Sequence, residues 1–477
     1  MIVNEGRDAQ RARERWERLA RSEPLGRVLV STALATSAIS LSIVLLFVTS
    51  MTPPERAWCI GVALAAWSLV VALGWARGTL PLKPLLAAIG ITLLFAVVTP
   101  SHQSGDVNSY VMYGRIVTVH HSNPFGSYPM HFESDPMRKY VGPMWQRTPD
   151  IYGVGFTIVM AIFAPVIGTS RFLGHLTYQL LAVAAVGAML WLLWKRTRNP
   201  TVLAFVGLHP LLAVSVVNGG HPDALLALGV LCGVFLAIDR RPVLSAAALA
   251  FAASINFTAL VAAGVMFFWV LRRWTRPEIV RFTAVVGAFG ALPYLFMSGW
   301  AQNAHEHSQL ISRQSLWNAI GSVVSNGDQL RTLASTGATV LAGALLVVVA
   351  VRHTGRGTPE LAVAAGLAAF LVSSSWVMPW YAFAALPLFA LRRPNLMTWT
   401  VAIYSALVLL GDQYPSLAAS SVGSLGHNVL QNLVPLVAFA CCAVVIVLRP
   451  RETLEGALEA SPGDAAVTAE PRLAASA

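Results

Sequence analysis

The run VLVSTALATSAISLSIVLLFVTS, residues 28–50, holds no charged side chain, and about 20 such residues in a helix cross a ~30 Å hydrocarbon layer. Similar runs follow at about 57–75 and 84–99, and they recur to about residue 448. A polar stretch precedes residue 28, so this first run reads as an ordinary span and not as a cleaved signal peptide. The whole chain is 56% hydrophobic and 12% charged, whereas soluble domains carry about 25% charged residues. It has no water-facing shell to dissolve in. The expected fold is all-α, a polytopic transmembrane protein of roughly 12–14 spans.

The net charge of +11 does not point to nucleic acid, because most of it sits in short clusters between apolar runs. These include the stretch up to Arg27, then Lys195 to Arg198, Arg240-Arg241, Arg272 to Arg276, Arg392-Arg393 and Arg449 to Arg451. Placing them on the cytoplasmic side puts about 25 of the 33 Lys and Arg there, as the positive-inside rule requires. Two irregularities make that threading close. The run at about 151–168 has to be re-entrant or interfacial, and 243–271 has to be two short helices that break near Ser254-Ile255-Asn256. Both are tolerable where the backbone lines protein and not lipid. Residues 1–27 then form a basic cytoplasmic tail, 28–448 the membrane domain, and 449–477 a disordered cytoplasmic tail. Cys59, Cys232, Cys441 and Cys442 lie in apolar runs without metal spacing and read as packing residues.

This threading gathers the polar stretches on the extracytoplasmic side, with long outer loops at about 100–150 and 299–331. The first stretch contains Asp106, Tyr110, Tyr113 and Arg115. Asp106 is a candidate general base just beyond a span, and also a residue type favoured as a helix cap. The second runs from Asn123-Pro124-Phe125 through Trp145, Arg147 and Tyr152. Arginines outside, against the charge rule, suit a phosphate or a sugar polyol. The third is Asn218-Gly219-Gly220-His221-Pro222-Asp223, where ionisable groups sit at a helix start. The fourth holds His305, His307 and Arg313. His305 and His307 are two residues apart and do not share a helix face, so phosphate or sugar contacts are the better reading than metal. The turn Ser373 to Tyr381 adds Trp376 and Trp380, which could stack on a sugar or an isoprenoid, or simply mark the membrane boundary.

The segments Gly105 to Tyr110, Tyr113-Gly114-Arg115, Trp145 to Gly153, Asn218 to Leu225 and Trp376 to Tyr381, in this order, resemble the actinobacterial polyprenol-phosphomannose-dependent α-1,6-mannosyltransferases. These belong to the GT-C class of membrane glycosyltransferases. The chain departs from that pattern at Val154, Pro222 and Asn256. The resemblance implies a polyprenyl-phosphate sugar donor, a glycan or glycolipid acceptor and no cofactor or metal, since the phosphate is already a good leaving group. It implies Asp106 as the base, with inversion to an α-linkage. Donor phosphate or sugar would be bound by Arg115, Arg147, His221, Asp223, His305 and Arg313. Acceptor or lipid would stack on Tyr110, Tyr113, Trp145, Tyr152, Trp376 and Trp380. The alternatives are a polyprenyl-phosphate-arabinose-dependent transferase, a lipid-linked glycan transporter and a non-catalytic envelope scaffold.

Overall fold

The computed structural model describes residues 25–78, 80–101, 104–322, 327–355, 358–413, 426 and 428–448. Most of the tail expected over 1–27, and all of that expected over 449–477, lie outside the described residues. Among the described residues there is no strand. The chain is an all-α polytopic membrane protein.

The first three apolar runs become α1 (Leu25–Val48), α2 (Pro53–Arg77) and α3 (Leu82–Val98). The start of α2 is fixed by a capping box in which Glu55 Oε2 accepts from the Thr52 N–H at 2.7 Å and from the Thr52 hydroxyl at 2.8 Å. The first long loop carries α4 (Asp106–Thr118) and leads into α5 (Val154–Ile167), α6 (Arg171–Thr197) and α7 (Pro200–Gly207). A π-helical turn, Leu212–Val217, precedes α8 (Asp223–Ile238), then α9 (Pro242–Ile255), α10 (Ala259–Val270) and α11 (Arg276–Phe296). The second half adds α12 (Trp300–Ser308), α13 (Leu316–Gly321), α14 (Gly327–Arg352), α15 (Glu360–Ser373), α16 (Leu386–Ala390), α17 (Leu396–Gln413) and α18 (Val434–Leu448).

Among the described residues, six helices are long and apolar enough to cross a membrane: α1, α2, α6, α11, α14 and the segment Val429–Leu448. Their outward faces carry large apolar side chains, among them Leu34, Trp58, Phe172, Leu295 and Phe296, as contact with lipid requires. Seven shorter apolar helices of 10–17 residues accompany them. Of these, α8 and α15 are buried nearly throughout. On α8, Gly229 and Gly233 present a small-xxx-small face to Ala252 and Leu249 of α9, and any Cβ at either glycine would clash. That permits close backbone approach, and the Ser245 hydroxyl accordingly reaches the Gly233 carbonyl at 2.7 Å.

The expected break within 243–271 has a direct structural counterpart. The stretch 243–271 is two helices, α9 ending at Ile255 and α10 starting at Ala259. The break would leave carbonyls unpaired in hydrocarbon. Instead the Gly153 N–H donates to the Ile255 carbonyl at 2.9 Å, and the Tyr294 hydroxyl donates to the Ala253 carbonyl. In the run at about 151–168, α5 has 14 residues and so is about 21 Å long, short of the ~30 Å core. It packs against α4, whose residues from Val107 to Ile116 are all buried.

Candidate active site

Asp106 opens α4. The N-cap position is Gly105, and the Ser104 hydroxyl oxygen accepts the Asp106 N–H at 3.1 Å, so the capping expected of Asp106 is carried out by its neighbours. The Asp106 carboxylate lies in the first turn, at the positive end of the helix. It acts electrostatically on Tyr110, Tyr113, Tyr152, Tyr381 and Asp223.

One turn on from Asp106, the buried Tyr110 hydroxyl lies 3.2 Å from His221 Nδ1, and Tyr152 donates its hydroxyl to that of Tyr110 at 3.2 Å. With Tyr110 donating to Nδ1, the imidazole proton sits on Nε2. His221 stacks on Trp380 with ring centroids 3.6 Å apart, and its Nε2 is buried without a protein partner. Burial pushes the imidazole down to about 3, so it is a neutral donor at ordinary pH. Tyr178 packs edge-on to Tyr110, and both its hydroxyl and that of Ser109 are likewise buried and unpartnered. A buried polar atom without a protein partner calls for a function or a ligand, and His221 Nε2 is one.

The turn that carries His221 is held by a polar knot. Gln179 of α6 donates to the carbonyls of Ala96, Thr99 and Asn218, and the Asn218 amide donates to Ala96 and Pro100. Gly220 takes φ +62° and lies against Tyr178 and Val107, so a side chain there would be both strained and blocked. Asp223 is buried in the first turn of α8.

The remaining expected residues divide by position. Tyr113 is buried and donates to the Thr148 carbonyl at 2.9 Å, tying α4 to the loop. Arg115 is engaged within the protein: Nε and Nη2 reach the Asp135 carboxylate at 3.0–3.1 Å, and Nη1 donates to the Gly168 carbonyl at 3.1 Å. Arg147, His305 and Arg313 are exposed. Trp145 and Trp376 are half-buried on either side of His307. Arginine 115 thus grips the loop, whereas Arg147 and Arg313 present their charges outward. Residues that sequence reasoning left out of the site include Tyr178, Gln179, Asp135 and Asp150. Of these, the first two lie inside an apolar run and carry no motif. Among the described residues, no group of three or more His, Cys, Asp or Glu is placed to share a metal ion.

Together these contacts join all the polar stretches. Tyr110 meets His221, Tyr152 meets Tyr110, Trp380 meets His221, and His307 meets both Trp145 and Trp376. Asn303 of α12 closes the ring by donating to the Phe125 carbonyl at 2.8 Å. Residues 21–272, more than half of the chain, match the family described as Alpha-(1->6)-mannopyranosyltransferase, N-terminal domain. The chain belongs to this family. It is also 26% identical over 187 residues to Alpha-(1->6)-mannopyranosyltransferase A of Corynebacterium glutamicum, a match that covers 38% of this chain and 37% of that relative. No solved structure matches. The family's matched stretch contains Asp106, Tyr110, Arg115, Tyr152 and His221, while His307, Trp376 and Trp380 come from beyond it.

Asp150 makes the loop sensitive to pH. It is fully buried, and burial pushes its pKa up to about 6, against hydrogen bonds from the Thr157 hydroxyl at 2.7 Å and the Tyr152 N–H at 2.9 Å. Its folded value lies above the unfolded one, so the stability it contributes is complete below about pH 4 and is lost as pH rises through about 6. Thermal unfolding in detergent is expected to show that decline, and Asp150→Asn to flatten it.

Proposed function

We propose that this protein is a membrane mannosyltransferase that moves mannose from a polyprenyl-phosphate carrier to a cell-envelope glycan or glycolipid. The observation that carries this reading is the hydrogen-bonded chain Tyr152–Tyr110–His221 one turn on from Asp106, whose charge acts on Tyr110, Tyr152, Asp223 and Tyr381, in a chain of this family. The Asp106 carboxylate takes the proton of the acceptor hydroxyl, and the freed oxygen attacks C1 of the mannose. The C1–oxygen bond to phosphate breaks, and its electron pair leaves with the polyprenyl phosphate. Attack from the opposite face inverts a β-linked donor to an α-linked product. The His221 Nε2 proton is available to a sugar hydroxyl or a phosphate oxygen, and the exposed Arg147 and Arg313 offset the charge that grows on the leaving phosphate.

The test is purified protein in detergent with radiolabelled polyprenyl-phosphate-mannose and a short α-mannoside. Transfer is the expected result. Absence of transfer with this donor, but transfer from polyprenyl-phosphate-arabinose, would replace the sugar and keep the mechanism.

An extracytoplasmic site at the plasma membrane is part of this reading, and the distribution of the basic clusters supports it. Single cysteines at the exposed positions Gly105, Arg147 and His305 should label in intact cells, while one at Arg198 should label only after permeabilisation. The opposite pattern at any of the first three would overturn this orientation.

A further inference from the structure

A second aromatic group stands on the same first loop and the same turn that carry Tyr152 and Trp380. The His307 ring is 5.9 Å from Trp145 at an interplanar angle of 25°, and 5.6 Å from Trp376 at 69°. The rings come from the first long loop, from α12 and from the turn before Pro379. Their mutual placement is built in. The Ser312 N–H donates to the Ser375 carbonyl at 2.9 Å, the Ser375 hydroxyl to the Ser308 carbonyl at 2.9 Å, and the Val377 N–H to the Ser312 hydroxyl oxygen at 2.9 Å. These bonds lock the end of α12 to the turn carrying Trp376. On the other side, the Trp300 indole reaches the Ile151 carbonyl at 3.3 Å and docks α12 on the first loop.

His307 Nε2 is buried and has no protein partner. Burial pushes this imidazole down to about 4, so it is neutral, with a single N–H and a single lone pair. The two indoles beside it are half-exposed. The ligand that fits must therefore offer an apolar face to indole and a neutral polar group to Nε2. A pyranose does both, through its C–H face and its hydroxyls. An isoprenoid would leave Nε2 unsatisfied, and a phosphate would find no charge on the ring.

Resting on the transferase reading above, we propose that Trp145, His307 and Trp376 form a distal acceptor subsite. It holds a hexose unit of the acceptor chain while another unit's hydroxyl meets Asp106. The enzyme is then selective for acceptor length: chains that reach the subsite bind more tightly than those that do not.

The test measures transfer to α-mannosides of increasing length for the wild type, His307→Ala, His307→Gln and Trp145→Phe. In parallel, binding of the long mannoside without donor is followed by calorimetry. His307→Ala is expected to raise KM for long acceptors about tenfold and to erase most of the preference for them, with the donor KM unmoved. The glutamine variant should recover part of that loss, because its amide keeps a hydrogen-bonding group. An unchanged length preference and unchanged calorimetric affinity in His307→Ala and Trp145→Phe would overturn the subsite. So would a fall in kcat that is equal for all acceptor lengths. The two readings separate cleanly. Binding of mannoside that depends on His307 without any mannosyl transfer would refute the donor and keep the subsite; transfer without length preference would do the reverse.

Discussion

Asp106→Asn is expected to lower mannosyl transfer by ~10²–10⁴-fold, the range a positioned general base supplies. Asparagine keeps the size and polarity of the side chain but cannot accept the proton of the acceptor hydroxyl. It also keeps the start of α4, because the Asp106 N–H is held by Ser104. The amount of protein inserted in the membrane should therefore be unchanged. Transfer at wild-type rate by this variant would remove Asp106 from the chemistry and leave Asp223, its electrostatic neighbour, as the carboxylate to examine next.

The second large effect concerns stability. Asp135→Ala should cost about 3–5 kcal/mol, read as a fall in the midpoint of thermal unfolding in detergent, because it leaves a largely buried guanidinium unpaired. The pair is not a surface one: the Arg115 side chain is 11% exposed and that of Asp135 0%. Asp135 also accepts from His120 Nε2 at 2.8 Å and from the Met137 N–H at 2.9 Å. Burial alone would raise its pKa, but the hydrogen bonds from Arg115, Met137 and His120 outweigh it and hold the carboxyl below the ordinary value. A depressed value means that this stability is present above about pH 4 and is lost as pH falls further, the opposite sense to Asp150. Arg115→Lys should not rescue the pair, since an ammonium cannot reach the carboxylate and the Gly168 carbonyl as one planar fork. A variant at Asp135 as stable as the wild type would show that the loop is held elsewhere.

Much of this architecture was legible in the chain because spans are long. The first three helices lie within a few residues of the apolar runs that predict them, and the break between α9 and α10 falls at the polar Ser254 and Asn256, as read. The gathering of polar stretches was legible for a related reason: each lies beside the end of an apolar run, and only a few threadings satisfy the basic clusters. What stayed hidden depends on tertiary packing. Arg115 on α4 and Asp135 in the loop beyond it are 20 residues apart, and nothing local pairs them. Gln179 and Asn218 meet across two helices. Spacing says that His305 and His307 diverge, but not which turns inward; α12 docks so that His307 faces Trp145 and His305 faces out.

The family match ends at residue 272, yet the ring around the site is completed by His307, Trp376 and Trp380. On the proposed reading, Asp106 and His221 therefore lie inside the matched stretch, and the aromatic groups around them lie partly beyond it. If the proposed subsite is right, change confined to the later stretch would alter the choice of glycan and leave Asp106 and His221 as they are.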